Sequence, residues 1–370
     1  KIESLGFIIR HCAKPRNVSR HFMKYSRKQI SKAGNTLLTS KSEEEINDAL
    51  NLINDWRTNH LQPLKVMKRR LVKLLENNKI SPILISQRLK RLTSIEYKLD
   101  LNPQMGLGGM QDVGGYRAVL KDVKDWYKLK NILESTNHYN RFEKCNDYVE
   151  NPKTSGYRSI HYIYKYSSKV SEYDQLKVEL QIRTKLQHNW ATAVETAGII
   201  TKTSLKSSQG PDEWLIFFRV VSSLFAIKEK LPVLDEHKNM SMHELMVECY
   251  NLCEKLNVID TLKALRVTTE HLEKQKFPGD YYLIHINTEK KSVTLNVFNK
   301  SKYELATQKY LEIERKIDNS KNAVVLVSAT SFKDLKKAYP SYFLDTSEFL
   351  NALEKINDNC LKFNLIKTNR

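Results

Sequence analysis

The stretch Val178-Glu-Leu-Gln-Ile-Arg-Thr184 alternates apolar and polar side chains without a break, and that period of two fits a strand with two unlike faces. Val178, Leu180 and Ile182 belong to a core, while Glu179, Gln181 and Arg183 share the opposite face. That second face borders a polar cleft. Upstream, Lys153-Thr-Ser-Gly-Tyr-Arg-Ser-Ile-His161 runs into Tyr162-Ile-Tyr-Lys-Tyr166, which is rich in aromatic and β-branched residues and reads as a neighbouring strand. A Lys, a small-residue turn at Gly156, an aromatic, an Arg and a His in one short loop suit the holding of a polyphosphate and the stacking of a base.

The rest of the chain supplies helices around these strands. Residues 1–79 read as helical, punctuated at Gly34 and Pro63. Ser42 followed by Glu43, Glu44 and Glu45 is a helix start, and Ala49, Leu52, Ile53 and Trp56 follow at core spacing. In the next helix Lys65, Arg69 and Lys73 lie four apart, with Lys68 and Arg70 beside them. Such a run is a solvated face or a phosphate-backbone contact. A helix is expected over 83–100, with Lys90, Ser94 and Lys98 in one stripe, Arg88 near it, and Leu89, Leu92, Ile95 and Leu99 opposite. Cations grouped without acids repel one another unless an anion sits among them, which makes this stripe a triphosphate candidate. Gly106, Gly108 and Gly109 lead to Asp112, at the mouth of a strand ending in Arg117-Ala-Val-Leu120. A lone Asp there is a turn residue or a cap; with Glu179 converging from a neighbouring strand it becomes a ligand for Mg²⁺, which takes one or two carboxylates plus substrate phosphates. A helix over 122–135, strands around 138–144, 157–166 and 176–184, and a helix over 186–198 complete an α/β (α+β) arrangement, a mixed sheet flanked by helices.

Composition narrows the partners. A formal charge of +19 favours a polyanion, although a lysine-rich solvated surface gives the same sum. No run of eighteen apolar residues and no signal-peptide layout is present, so a cytoplasmic protein without membrane contact is expected. The five cysteines are odd in number and scattered, against a disulfide framework, and Cys249 and Cys253 read as packed thiols.

Beyond residue 200, Ser204-Leu-Lys-Ser-Ser-Gln-Gly-Pro211 marks a break. Helices are expected at 212–230 and 241–272, then a hairpin of Tyr281 to Asn287 and Ser292 to Phe298, a helix over 300–317, a strand Ala323 to Ser328, a helical stretch 331–338 and a helix over 346–357. This divides the chain into 1–200, a helical connector 201–275, and a small α/β domain 276–370. The last part offers no catalytic constellation, so it binds or regulates; Tyr339 and Tyr342 are packed aromatics or a motif.

Four stretches together resemble the synthetase domain of the RelA/SpoT alarmone enzymes. They are Arg88-x-Lys90 with Ser94-Ile95 and Lys98; Asp112-Val-Gly-Gly115-Tyr-Arg117; Lys153 with Gly156-Tyr157, Ser159 and His161; and Glu179-x-Gln181-Ile-Arg183-Thr184. The resemblance implies a nucleotidyltransferase-like domain that moves pyrophosphate from ATP to a ribose 3′-hydroxyl. Arg88, Lys90, Ser94, Lys98 and Arg117 would hold ATP, and Asp112 and Glu179 would hold Mg²⁺. Glu179 would also be the general base. Lys153, Ser155, Tyr157, His161, Gln181 and Arg183 would face the acceptor, with Tyr157 stacking on its base. Ser155 departs from the family's Asn. None of the ten histidines precedes an Asp, so the His-Asp pair of the family's hydrolase is missing.

The arrangement is most similar to fused toxic small alarmone synthetases of the CapRel type. That likeness implies autoinhibition by Tyr339 and Tyr342, release by a phage-encoded trigger such as a capsid protein, and the 3′ end of tRNA as acceptor, with Lys65, Lys68, Arg69, Arg70 and Lys73 as tRNA contacts. GDP or GTP is the alternative acceptor.

Overall fold

A computed structural model describes residues 7–10, 25–135, 142–201, 205, 210–264, 279–287, 292–316, 322–328, 335 and 346–366. Strand β1 (Phe7–Arg10) precedes three helices, α1 (Arg27–Thr39), α2 (Glu43–Asn59) and α3 (Leu61–Asn77). The hydroxyls of Ser26 and Ser42 accept backbone N–H groups at the starts of α1 and α2, as their sequences ask. Next come β2 (Leu84–Leu89), α4 (Leu92–Asp100), β3 (Gly114–Leu120), α5 (Val123–Ser135), β4 (Phe142–Asp147), β5 (Ile160–Lys165), β6 (Lys177–Thr184) and α6 (Lys185–Thr201). The C-terminal part holds α7 (Asp212–Glu229), α8 (Met242–Lys255), α9 (Val258–Ala264), β7 (Tyr281–Asn287), β8 (Ser292–Phe298), α10 (Tyr303–Lys316), β9 (Asn322–Ser328) and α11 (Ser347–Lys362).

Among the described residues nine strands form one mixed sheet in the order β1-β8-β7-β9-β2-β3-β6-β5-β4. The pairs β1–β8 and β3–β6 are parallel and the others antiparallel. The expected mixed sheet flanked by helices is therefore what forms. The strands of the C-terminal part continue that sheet, because β9 pairs with β2 at Val327 opposite Arg88. Below the centre, Tyr116, Ala118, Leu120, Tyr162, Val178, Leu180 and Ile182 pack with Leu64, Leu71, Trp126 and Leu129 from α3 and α5. A second core joins α6, α7, α8 and α11 around Phe217, Phe218, Trp190 and Phe349 and includes the buried thiols of Cys249, Cys253 and Cys360. Trp56 lies in a third core with Ile53, Ile95 and Leu107.

Several boundaries differ from the sequence reading. The helix expected over 83–100 is a strand followed by a helix: Leu84-Ile-Ser-Gln-Arg-Leu89 fits either period, and pairing on both sides by β3 and β9 decides for the strand. The first 79 residues are not all helical, since Phe7–Arg10 pairs with β8. The helix expected over 241–272 breaks into α8 and α9 where Asn257 takes a left-handed φ of 46°. Among the described residues strand β4 covers Phe142–Asp147 and so runs past the expected end at 144. The stretches 265–278 and 336–345 fall outside the described residues.

Candidate functional site

The open face of the central sheet is set by register. Across β5, β6, β3 and β2 one row runs His161, Gln181, Arg117, Ser86, and the next runs Ile163, Glu179, Gly115, Arg88. Directly opposed residues share a face, so a carboxylate, an amide, an imidazole and two guanidiniums line one floor. Gly115 sits between Arg88 and Glu179. A Cβ there would meet nothing nearer than the Glu179 carbonyl oxygen at 4.0 Å, so the gap belongs to the cleft, not to packing.

Asp112 precedes β3 and faces the junction of β2 and α4. Its two carboxylate oxygens accept Lys90 Nζ at 2.8 Å and Lys98 Nζ at 2.9 Å. Burial alone would raise the Asp112 carboxyl, but the two ammonium groups hold it well below the usual range. Burial lowers Lys90, and the neighbouring cations Lys98 and Arg88 add to that against the pull of Asp112. The stripe of Lys90, Ser94 and Lys98 on one helix is not what brings these groups together, since Lys90 lies before α4. The turn between strand and helix does it, and Ser94 is half-buried on α4.

Glu179 is 7% exposed, and its oxygens accept His161 Nδ1 at 2.9 Å and Gln181 Nε2 at 2.6 Å. Burial and the Asp112 charge push its carboxyl up, yet His161 and Gln181 outweigh them and keep it low. The Asp112 charge is felt at Glu179 across the open face. His161 is raised although burial opposes it, because Tyr157 and Glu179 favour its protonated form. Arg117 donates to Gln181 Oε1 at 3.3 and 3.2 Å, and burial with Arg183 and Arg88 beside it pulls its guanidinium down to about 10. Glu195 of α6 works in the opposite direction. Such crowding of cations is costly unless an anion is accommodated.

The loop before β5 turns at Gly156, whose φ of +87° and close neighbours Ser222 and Trp190 leave no room for a side chain. This turn fixes Tyr157, but not as a free stacking platform. Its ring is 4% exposed, its hydroxyl bonds His161 Nε2 at 2.8 Å and accepts Arg183 Nη2 at 2.6 Å, and the Arg183 guanidinium lies 5.1 Å from the ring centroid. Tyr157 therefore orients His161 and Arg183. The half-buried ring of Tyr148, with Lys153 Nζ 4.6 Å from its centroid, is the more open aromatic, and its place before a tight turn gave no sequence signal. Ser155 carries a buried hydroxyl with no partner. Lys65, Arg69, Arg70 and Lys73 are exposed along α3, and Lys68 is partly buried. Tyr339 and Tyr342 lie outside the described residues.

Comparison with known proteins finds similarity over this cleft. Residues 87–205 match the model of a region found in RelA / SpoT proteins. The matched span runs from within β2 through α6 and so contains Arg88, Lys90, Lys98, Asp112, Gly115, Arg117, Tyr157, His161, Glu179, Gln181 and Arg183, but not Ser86, Ser222 or the cations of α3. Among curated relatives, GTP pyrophosphokinase YjbM of Bacillus subtilis is 34% identical over 116 residues, 30% of this chain and 54% of the relative. GTP pyrophosphokinase YwaC of the same organism is 32% identical over 84 residues, 22% of this chain and 40% of the relative. The chain thus spans about half or less of the length of these relatives. The solved structure of small alarmone synthetase 1 from Bacillus subtilis bound to its product pppGpp aligns at 24% identity with a TM-score of 0.40, covering 46% of this chain and 88% of that one. No described helix is long and apolar enough to cross a membrane.

Proposed function

We propose that the chain moves the β,γ-pyrophosphate of ATP onto a ribose 3′-hydroxyl and releases AMP. The observation that carries this reading is the gathering of Lys90, Lys98, Arg88, Arg117 and Arg183 with two carboxylates, Asp112 and Glu179, that are held ionised on one side of the sheet. The cations suit a triphosphate, whose transfer asks little covalent chemistry of a protein and much positioning and charge neutralisation. The acceptor 3′-oxygen bonds to Pβ, the bond from Pβ to the oxygen bridging it to Pα breaks, and AMP departs with that oxygen and its electron pair. The Glu179 carboxylate, kept charged beside His161, accepts the hydroxyl proton. Mg²⁺ takes one or two carboxylates plus substrate phosphates, so Asp112 and Glu179 would be the residues to hold it, in exchange for their contacts with Lys90, Lys98, His161 and Gln181, and it would supply further charge neutralisation there. Lys153 and Tyr148 border the acceptor side.

The acceptor in this reading is the 3′ end of tRNA, so that translation stops. The net charge of +19 and the exposed cations of α3 support it, because a long polyanion rewards a broad basic surface by counterion release. Guanine nucleotides are the second reading, favoured by relatives that are GTP pyrophosphokinases. The proposal includes a restraint: Tyr339 and Tyr342 fill the adenine slot until a phage-encoded protein, such as a capsid protein, engages the C-terminal part. Support comes from the seam, where β9 adjoins β2 at Arg88.

The test is transfer of label from β/γ-labelled ATP in a mixture of deacylated tRNA, GDP and GTP, comparing the full chain with its Tyr339→Ala/Tyr342→Ala variant. Label on tRNA from the variant alone supports the restrained toxin. Label on GDP or GTP from the unaltered chain makes it an alarmone synthetase, and no label from either protein overturns the transferase reading.

A further inference from the structure

One guanidinium and one carboxylate, both outside the matched region, hold the backbone of the donor side. Arg57 of α2 is fully buried and pairs with Glu314 of α10 at 2.8 Å. Its Nε and Nη2 also donate to the carbonyl oxygen of Lys90 at 3.2 and 2.8 Å. Glu314 Oε1 accepts the backbone N–H of Leu92, the first residue of α4, at 2.8 Å. Tyr310 completes the cluster, accepting Arg57 Nη2 at 2.8 Å and donating to Glu314 at 2.6 Å. The residue before α4, Arg91, caps it with no side-chain hydrogen bond, so a carboxylate from far along the chain does the capping. Arg91 is thereby pinned on both sides, at the Lys90 carbonyl and at the Leu92 amide. Lys90 and Lys98, the two cations that meet at Asp112, hang from that pinned turn and its helix.

We propose that Glu314, with Arg57 and Tyr310, is a positioning residue for the phosphate-binding half of the cleft, and that the C-terminal part is therefore a working component of the donor site. This rests on reading the cleft as an ATP site. It also separates two roles of the C-terminal part: a removable restraint in the segment holding Tyr339 and Tyr342, and a fixed clamp in α10. Deleting everything after residue 275 would remove both at once, which is why the restraint is tested above by substitution in the full chain.

The experiment measures binding of the Mg²⁺ complex of an α,β-methylene ATP analogue by calorimetry, and the KM values for ATP and for the acceptor, on full-length Glu314→Ala, Glu314→Gln and Tyr310→Phe, each made in the Tyr339→Ala/Tyr342→Ala chain so that the restraint is absent. Analogue affinity and the KM for ATP are expected to worsen by about tenfold or more in Glu314→Ala and less in the other two, with the acceptor KM within about twofold. Tyr310→Phe loses only a hydroxyl and keeps the test open if Glu314→Ala fails to fold. Folded variants that bind the analogue as tightly as their Tyr339→Ala/Tyr342→Ala parent would overturn the proposal. So would equal losses on the donor and acceptor sides, which mark a merely structural role. If the Tyr339→Ala/Tyr342→Ala parent binds no analogue, the ATP reading itself fails; faster amide exchange at Leu92 in Glu314→Ala would still register the clamp separately.

Discussion

Two charged clusters meet at Lys90, and they are built on opposite accounts of charge. At the seam Arg57 faces Glu314, and Asn54, Tyr310 and the Lys90 carbonyl absorb the remaining guanidinium hydrogens. In the cleft the cations Arg88, Lys90, Lys98, Arg117 and Arg183 crowd together, and burial with like charge depresses both Lys90 and Arg117. The seam raises Arg57 instead: burial opposes its charge, but Tyr310 and Glu314 overcome it. A balanced buried pair serves the fold, whereas an unbalanced cluster weakens it and is retained for a ligand that brings the missing charge.

The sharpest way to break that comparison is to unbalance the seam. Glu314→Ala strands a fully buried guanidinium and is expected to cost about 3–5 kcal/mol in chemical denaturation, while Arg57→Met combined with Glu314→Leu costs far less. Asp112→Ala should come next, at about 1–3 kcal/mol, because Lys90 and Lys98 lose their shared acceptor. That variant should lose transfer activity, and added pyrophosphate should raise its melting temperature more than that of the unaltered chain. An equal response in the two proteins would argue against an anion site between the lysines.

A smaller effect is expected from pH. The folded-state pKa of His161 lies above its ordinary 6.5, so its stabilising contribution is complete below that value and is lost as pH rises through the raised one. Asp112 and Glu179 are depressed, so theirs is present above ordinary carboxylate values and is lost as pH falls. The melting-temperature gap between the unaltered chain and His161→Gln should therefore shrink as pH rises above the ordinary imidazole value of 6.5 and through the raised one. A constant gap would mean that the His161–Glu179 contact does not depend on the imidazolium.

What was legible in the sequence was whatever a local period or cap could carry. The two faces of β6 followed from alternation, and the hairpin of β7 and β8 matched its expected ends. Strand β2 was missed because its six residues satisfy a helical spacing equally well and only its neighbours in the sheet choose between them. Tyr157 was assigned to stacking because its type suits a base, but burial depends on α6 and α7, which meet its turn from later in the chain. The clamp had one faint signal. Arg57 follows Ala49, Ile53 and Trp56 on the inner side of α2, and a cation on a buried face needs a partner. Nothing in the sequence points to Glu314 as that partner, 257 positions away.

The smallest effect on the fold should come with a large effect on function, at Gly115. Its backbone has no left-handed φ, it lies in a paired strand, and an added Cβ meets open space. Gly115→Val should therefore melt within about 0.5 kcal/mol of the unaltered chain, since β-branched residues suit strands. The new side chain would stand between Arg88 and Glu179, where the phosphates and the acceptor oxygen have to meet. Measured in the Tyr339→Ala/Tyr342→Ala background, transfer should fall at least about 100-fold, the loss expected from displacing reacting groups by about an ångström. If Gly115→Val stays fully active, the row from Arg88 to Glu179 is not the floor of the reaction site. If instead it unfolds, the gap is part of the packing, and the contrast between a fold-serving seam and a ligand-serving cleft loses its clearest case.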